Sequence, residues 1–434
     1  MRSASLVFFA LGVASAACGS TVGPAGPARS PVAAQWFDRA KVSYRAGDFD
    51  DARDAVRHAL GVTPNDPEMR ELAARVALVR LDYDEALRLT EGLESAEGHS
   101  TRGRAYWFSG DLEHAADELE AMLADPKVKD PWARDVAGLA RKGSGRHPFQ
   151  MEGGTVASVE MPRQLDRVPL GAANVVPCEL DGERILALVA TGTSEVLIDS
   201  NSRHDAAWVD MRFDRVEIKD VPALAQDLSA VGRQVGVPIK ALIGAQLLRH
   251  ANVTFDRRGD QFVVRRQDAP PPPEASRVPL YYLRGGGMLL RATVTAKDES
   301  PIPLLMDSSR PFPLFLMDRA WKLAGVDTQT LVALPDNPTV KRGIVPVLRL
   351  GGFDLPKMPA IQGAEFADAA AGGLDIDLGG IVGADLLAFF RVTFADGGRF
   401  MWIEPDPMLL RPDAQPAPAA RSQAAPAQPT PSAP

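Results

Sequence analysis

The stretch LIGAQLLRHANVTFDRRGDQFVV, residues 242–264, is followed later in the chain by IVGADLLAFFRVTFADGGRFMWI, residues 381–403. Gly244 matches Gly383 and Phe255 matches Phe394, and each pair is 139 positions apart. A single register kept over such a length is hard to obtain by chance, so the two stretches are copies of one unit. Each copy ends in a β-branched and aromatic run with a Gly-containing turn, which predicts a β-hairpin.

The duplication extends toward the N-terminal side of each copy. Both segments open with RVPL, at 167–170 and 277–280, and LVATG at 188–192 aligns with LMDSS at 305–309. Runs such as RILALVAT are apolar and β-branched and are bounded by Asp-Gly turns, which is typical of strands. The sequence therefore predicts two mainly-β lobes, at 155–266 and 277–405.

The segments around the lobes have a different composition. The prolines at 270–273 cannot pair in a central strand, so residues 267–276 are predicted to be a Pro-rich linker between the lobes. Residues 406–434 are rich in Pro, Ala, Gln and Ser and have almost nothing to bury, which predicts a disordered tail.

Residues 31–142 carry a helical repeat. The phrases GDFDDA (47–52), LDYDEA (81–86) and GDLEHA (110–115) each place a turn, an aromatic residue or Leu, and an Ala at fixed offsets. The steps between them are 34 and 29 residues (81 − 47 and 110 − 81). This segment resembles tetratricopeptide repeats, whose helix–turn–helix unit has about 34 residues. An unrelated α-helical bundle is the alternative, and a further helix at about 130–142 is predicted to close the stack.

The N-terminal residues 1–17 predict a secretory signal peptide. The apolar run 6–17 ends in small residues, and it is shorter than the roughly 18 apolar residues that a membrane-spanning helix requires. The phrase SAAC at 15–18 is similar to a bacterial lipobox, which implies lipid on Cys18 and a tether at 18–30. That resemblance implies a membrane-anchored protein facing the periplasm or the cell surface. Cleavage after residues 14–16 would instead release a soluble periplasmic or secreted protein.

The net charge, the two cysteines and the spacing of the histidines argue against some classes of function. The net charge of −8 and the absence of a clustered Lys/Arg tract argue against nucleic acid as a partner. If Cys18 carries lipid, Cys178 has no disulfide partner and is predicted to be a buried thiol. The six histidines are scattered without metal-ligand spacing, so we expect neither a metal nor another cofactor.

The two lobes resemble the retroviral-type aspartic proteases and their two-lobed relatives, over about residues 160–405. The resemblance rests on three elements in each copy: a strand that enters a short turn, a later Gly-x-x-Leu phrase, and a β-hairpin. In that family two aspartates, one from each lobe, face each other across a water molecule and share a proton. One acts as a base on the water while the other polarises the substrate carbonyl.

The resemblance is incomplete at the reacting residues. In the first lobe Thr191 and Gly192 match the family turn, but Ala190 occupies the position of the acid. In the second lobe Asp307 and Ser308 match, but Ser309 replaces the glycine. A methyl group neither takes nor gives a proton, so the two-acid mechanism is absent from one chain. A structural role for Asp307, as a turn aspartate that binds nearby backbone amides, is the simpler expectation.

These observations predict an exported, lipid-anchored binding or scaffold protein with a degenerate protease-like domain. Its helical repeats, and its silent cleft, are expected to hold a peptide or protein partner. The alternative is an active aspartic endopeptidase in which Asp307 meets its symmetry mate in a homodimer. Another acid, such as Asp205 or Asp385, could also complete the pair, although Asp385 is expected to cap a helix. A third, weaker interpretation makes the β copies unrelated barrels.

Overall fold

The computed structural model describes residues 29–295, 301–335, 337–363 and 375–405. The predicted signal peptide, Cys18 and the predicted tail 406–434 lie outside the described residues. The described chain is a multidomain α + β protein, in which an N-terminal helical array precedes two mainly-β lobes. The predicted fold class is therefore confirmed.

Seven helices form three hairpins and a final helix. Each is capped by a Ser or Asp side chain that accepts a hydrogen bond from a backbone amide in the first turn; Asp111 and Asp130 cap the last two. The helices are α1 (Pro31–Arg45), α2 (Phe49–Val62), α3 (Pro67–Val79), α4 (Tyr83–Thr90), α5 (Ala96–Ser109), α6 (Leu112–Leu123) and α7 (Pro131–Lys142).

Small residues allow the paired helices to approach closely. Ala52, Ala86 and Ala115, the alanines of the three repeat phrases, are 0% exposed. A side chain on Gly103 would come within 2.7 Å of Leu119, so α5 and α6 pack too closely there for a larger residue. Because α1 contacts α3 and α3 contacts α5, these first helices of the hairpins line one side of the array, which we call the inner face. α7 packs on α6 at the end of the stack.

The first lobe is built on a seven-stranded sheet. Its strands and helices are β1 (Gln150–Gly153), β2 (Val156–Glu160), β3 (Gln164–Leu165), β4 (Val168–Pro169), β5 (Val175–Leu180), β6 (Glu183–Val189), β7 (Val196–Asp199), β8 (Ala207–Phe213), β9 (Val216–Gln226), α8 (Ser229–Val235), β10 (Ala241–Ile243), α9 (Ala245–His250), β11 (Thr254–Asp256) and β12 (Gln261–Arg265). The sheet has the order β1-β9-β7-β10-β6-β5-β8, with β6 and β10 parallel.

The second lobe is built on an eight-stranded sheet. Its elements are β13 (Ser276–Pro279), β14 (Tyr281–Tyr282), β15 (Met288–Ala292), β16 (Ile302–Met306), β17 (Leu314–Leu316), α10 (Asp318–Leu323), β18 (Val332–Ala333), β19 (Lys341–Leu350), β20 (Phe353–Gln362), β21 (Gly380–Val382), α11 (Ala384–Leu387), β22 (Phe390–Ala395) and β23 (Phe400–Pro405). The order is β14-β15-β16-β21-β17-β20-β19-β18, and β16 and β21 are parallel, as β6 and β10 are in the first lobe.

A six-stranded sheet joins the lobes in the order β13-β23-β22-β11-β12-β2. At its centre Thr254 pairs with Thr393, and their hydroxyl groups lie 2.8 Å apart. The rings of Phe255 and Phe394 have centroids 6.0 Å apart. Residues that occupy the same position in the two sequence copies therefore face one another across an approximate two-fold axis.

Two details differ from the sequence analysis. The RVPL phrases are not equivalent, because the first contributes β4, which pairs only with β3, whereas the second lies in β13 at the edge of the shared sheet. The counterpart of β13 is β2, which pairs with β12 as β13 pairs with β23. In addition, β1 pairs with β9, so the sheet of the first lobe begins before residue 155, the predicted start. Backbone pairing decides both points, and local sequence similarity does not reveal it.

The turns of the helical repeats contact both lobes. In the first turn Asp48 forms an ion pair with Arg291 of β15, with a distance of 3.1 Å between the charged atoms. In the third turn the carbonyl of Phe108 accepts a hydrogen bond from Arg249 of α9, at 2.9 Å. The array therefore spans the two lobes, with its N-terminal end on the second lobe and its C-terminal end on the first.

Candidate functional site

The acid position of the first lobe is filled by a buried methyl group. β6 leads directly into Ala190, whose amide donates to the carbonyl of Ile243 and whose carbonyl accepts from the amide of Thr193. Ala190 is 0% exposed. It packs in an apolar cluster made of Leu170, Val175, Leu188, Leu228, Val237, Ile239 and Leu242. An ionisable group at this position would have to be buried among hydrocarbon side chains.

The two turns are joined by exchanged hydrogen bonds. The hydroxyl of Thr191 accepts from the amide of Ser308 at 2.9 Å and donates to the carbonyl of Met306 at 2.9 Å. The hydroxyl of Ser308 accepts from the amide of Thr191 at 3.2 Å and donates to the carbonyl of Val189 at 2.7 Å. Both residues are buried, and each hydroxyl group donates one hydrogen bond and accepts one. The lobes thus meet at the two turns that the sequence aligns.

The carboxylate of Asp307 is engaged within its own turn. One oxygen accepts hydrogen bonds from the amide of Ser309 at 3.0 Å and from its hydroxyl at 2.6 Å. The other accepts from the guanidinium of Arg310 at 3.1 Å. The side chain of Asp307 is 13% exposed and that of Arg310 is 42% exposed. This is the geometry of an aspartate that closes a turn and carries a counter-ion.

The first lobe packs tightly on this acid. A side chain on Gly192 would lie 2.7 Å from the carboxyl carbon of Asp307. The group of the first lobe that faces Asp307 is therefore backbone, where the two-acid mechanism requires a second carboxyl group.

Neither of the other two acids considered from the sequence is hydrogen-bonded to Asp307 in the described part of the chain. The hydrogen bonds to the Asp307 carboxylate come from Ser309 and Arg310, and neither Asp205 nor Asp385 belongs to that set. Asp385 lies in the first turn of α11, where burial raises the pKa of its carboxyl group. The expectation that Asp385 caps this helix is wrong, because the capping position is Gly383 and no side chain caps it.

A buried carboxylate that the sequence analysis missed lies five residues after Ala190. Glu195 is 2% exposed, and its two oxygens accept hydrogen bonds from the indole N–H groups of Trp107 at 3.0 Å and Trp132 at 2.8 Å. The hydroxyl of Ser194 donates a third bond at 3.0 Å. Burial raises the pKa of Glu195, while these hydrogen bonds act in the opposite direction.

The partners of Glu195 belong to the helical array. Trp107 is on α5 and Trp132 is on α7, so this carboxylate fixes the C-terminal end of the array to the turn of the first lobe. The signal in the sequence was a charged residue directly before the apolar run VLI at 196–198. Its partners could not be read from that run, because they lie 88 and 63 residues earlier in the chain.

A glycine-rich turn of the second lobe lies over the turn of the first. The GGG phrase at 285–287 lies in the hairpin turn that joins β14 to β15. A side chain on Gly286 would lie 3.2 Å from Ser194, and one on Gly287 would lie 3.2 Å from the carbonyl of Gly192. The amide of Met288 donates to the carbonyl of Thr191 at 3.3 Å. The face of the first-lobe turn is therefore covered by the chain itself.

At the two aligned turns the described residues form a network of hydrogen bonds, and no second carboxyl group is hydrogen-bonded to Asp307. Asp307 and Ser308 lie together with Thr191, as the alignment of the two turns predicts, and Ala190 lies in an apolar environment. Within the described ranges we find no group of three His, Cys, Asp or Glu side chains arranged to hold a metal ion. Cys178 is a free, buried thiol, and burial raises its pKa to about 12.

No model of a known protein family matches the chain, and no curated protein matches it. Among solved structures, the chain is similar to an aspartic proteinase from Irpex lacteus, at 12% identity and a TM-score of 0.37; the match covers 58% of this chain and 98% of that one.

The helical array is similar to tetratricopeptide domains. The first such domain of Spaghetti (RPAP3), bound to an HSP90 peptide, has 17% identity and a TM-score of 0.24 over 26% of this chain and 91% of that one. The Sgt2 domain from Aspergillus fumigatus has 16% identity and a TM-score of 0.25 over 28% of this chain and 83% of that one.

No helix in the described part of the chain has both the length and the apolar character that crossing a bilayer requires.

Proposed function

We propose that this chain is an exported, lipid-anchored binding or scaffold protein that holds a peptide or protein partner without hydrolysing it. The observation that supports the proposal is the pair of aligned turns. Ala190 brings a buried methyl group to one turn, and the Asp307 carboxylate of the other is occupied by Ser309 and Arg310. A single ionised carboxylate cannot act both as the base and as the proton donor.

The repeat array and the lobes together supply surfaces for binding. Tandem helix hairpins present an extended face, and a two-lobed β domain presents a cleft suited to an extended chain. The hydrogen bonds between Thr191 and Ser308 hold the two lobes together at these turns. A fixed arrangement of the lobes supports a role in binding that does not depend on an acid pair.

The experiment is to offer the mature chain a reduced, carboxymethylated polypeptide as an unfolded probe. Binding is followed by fluorescence anisotropy, and cleavage by mass spectrometry between pH 3 and pH 7. The proposal expects saturable binding and an intact probe, with or without pepstatin. Pepstatin-sensitive cleavage that disappears in the Asp307→Asn variant would instead support the endopeptidase alternative, and absence of binding would remove the binding function.

The proposed anchor is tested separately. Mass spectrometry of the mature N-terminus should show a lipid-modified Cys18 as the first residue. The Cys18→Ala variant should lose the lipid and move from the membrane fraction to the soluble fraction. An unmodified chain that begins after residue 16 would support the soluble periplasmic or secreted alternative.

A further inference from the structure

The β14–β15 hairpin of the second lobe lies against the inner face of the array. The short 3₁₀ turn Leu283–Gly285 connects the two strands and contacts both α3 and α5. α3 and α5 are first helices of their hairpins and belong to the inner face. A segment of the chain therefore already occupies part of the surface on which a partner of the array would bind.

Side chains of the hairpin point alternately to its two faces. One face packs on the helical array and the other on the core of the lobes. Tyr281 and Leu283 are two residues apart and point to the same side, where they join the apolar cluster of the array. Leu289 is the cross-strand partner of Tyr281 and joins the same cluster. Tyr282 and Met288 point the other way, into the core of the lobes. One face of the hairpin is thus devoted to the array.

The contacts of this face are specific. The ring of Tyr281 lies 4.8 Å from that of Phe49, and its hydroxyl donates to Asp50 at 3.3 Å. Both partners lie in the first turn of α2, which packs against α1 and α3 of the inner face. Leu283 is 9% exposed and belongs to a cluster that includes array residues Met69, Leu72, Ala73 and Val76. An aromatic residue and a leucine two positions later therefore anchor the hairpin to the array, together with Leu289 of the opposite strand.

The tip of the hairpin has a strained backbone. Arg284 has φ 46°, in the left-handed region that residues with a side chain rarely adopt. Its side chain is exposed, and its charge acts on Tyr44 of α1, Arg104 of α5 and Asp130 at the start of α7. A residue keeps such a conformation where its surroundings hold it in place. The contacts with α3 and α5 therefore hold the tip in this conformation.

We propose that the hairpin Tyr281–Leu289 is an intramolecular ligand of the inner face, and that the partner of the array is an extended segment with the same aromatic-x-Leu anchors. Such a segment would displace Tyr281 and Leu283 and take their places. This inference rests on the proposed binding function and names its partner class and its regulation. The array is closed until a competing segment is supplied at sufficient concentration.

The test uses the complete mature chain and a fluorescent synthetic peptide of sequence PLYYLRGGGMLL, residues 279–290. Anisotropy is measured for the wild type and for Leu283→Asp, which places a charge in the apolar cluster and weakens the internal contact. We expect the peptide to bind the variant at least about tenfold more tightly than the wild type, a difference of about 1.4 kcal/mol. A peptide with both anchors replaced by Ser should bind neither protein.

Controls separate the proposal from unfolding and from the broader function. Leu323→Asp, on the surface of α10 where Leu323 is 36% exposed, should leave the affinity for the peptide unchanged. If Leu283→Asp does not fold, Leu283→Ala provides the same comparison with a milder loss of apolar contact. Equal peptide affinity in the wild type and the folded variant, or no binding to either, overturns the inference. If the unfolded probe still binds in that case, the proposed function stands and the partner uses another surface.

Discussion

Thr191 of the first lobe and Ser308 of the second are bound to each other in both directions, since each hydroxyl group accepts from the backbone amide of the other. Each hydroxyl also donates to a carbonyl of the opposite lobe, that of Met306 or Val189. The turn of the second lobe that carries Asp307 is therefore already hydrogen-bonded to the first lobe of the same chain. A homodimer that brings Asp307 to its symmetry mate would have to break this set of four hydrogen bonds first.

The Thr191→Val variant tests how strongly this exchange holds the lobes together. It removes one donor and one acceptor and leaves the buried amide of Ser308 without its partner. Net hydrogen bonds are worth about 0.5–1.5 kcal/mol each, and an unpaired buried amide costs about 1–3 kcal/mol. We expect the free energy of unfolding in urea to fall by about 2–4 kcal/mol.

Thr193→Val is the matched control, because the Thr193 hydroxyl donates to Ala190 and Glu195 within its own turn. Its loss should be about 1 kcal/mol. Equal losses for the two variants would show that the exchange between lobes adds no stability beyond that of a local turn.

Removal of the charge of Glu195 should loosen the attachment of the array. In Glu195→Gln one carboxylate oxygen becomes an amide NH₂ group, which cannot accept from the indole of Trp107 or Trp132. We expect a loss of about 1–3 kcal/mol in the free energy of unfolding, together with a red shift of tryptophan emission. Glu183→Gln, at an exposed position of β6, is the control and should change neither quantity. An unchanged spectrum for Glu195→Gln would contradict the assigned hydrogen bonds.

The raised pKa of Glu195 predicts a pH dependence with a definite sign. The unfolded chain releases this proton near the ordinary value of 4.5, whereas the folded chain retains it to higher pH because the group is buried. Between these two pKa values the folded state binds more protons, so the stability from this group falls as pH rises. The difference in unfolding free energy between the wild type and Glu195→Gln should therefore decrease above pH 4.5. A difference that increases over that interval would show that the pKa is lowered.

The close approach of Gly192 to Asp307 predicts that even a methyl group is not tolerated. In Gly192→Ala the new carbon would lie 2.7 Å from the carboxyl carbon, so the acid or the turn must move. We expect a loss of about 1–3 kcal/mol. Gly138→Ala, in α7 with nothing within 4 Å, should instead gain about 0.5–1 kcal/mol from helix propensity. Both values follow from chemical denaturation, and a neutral Gly192→Ala variant would mean that the lobes are not tightly apposed.

The sequence predicted those parts of the fold that arise from repeated sequence segments. The offset of 139 positions predicted the duplicated lobes. The structure adds that Thr254 and Thr393, which are also 139 positions apart, pair at the centre of the shared sheet. The alanines of the helical phrases predicted close helix packing, which Ala52 and Ala115 show. Each of these signals can be recognised within one segment of the chain, or by aligning two segments with each other.

Features that depend on distant pairing were not predictable. The counterpart of β13 is β2, although the RVPL phrase suggested residues 167–170, because strand order depends on backbone contacts across the sheet. The hydrogen bonds of Glu195 to the array depend on how two domains dock, and no periodicity encodes that. At the candidate site the sequence showed which acid is missing, whereas the pairing of Asp307 with Arg310 required the structure.

The most direct test of the central claim is a cleavage assay of the purified chain on an unfolded polypeptide from pH 3 to pH 7, beside Asp307→Asn. The account predicts no cleavage above background for either protein at any pH, since Ala190 cannot supply the second carboxyl group. Cleavage by the wild type with a bell-shaped pH profile, abolished in Asp307→Asn, would contradict it.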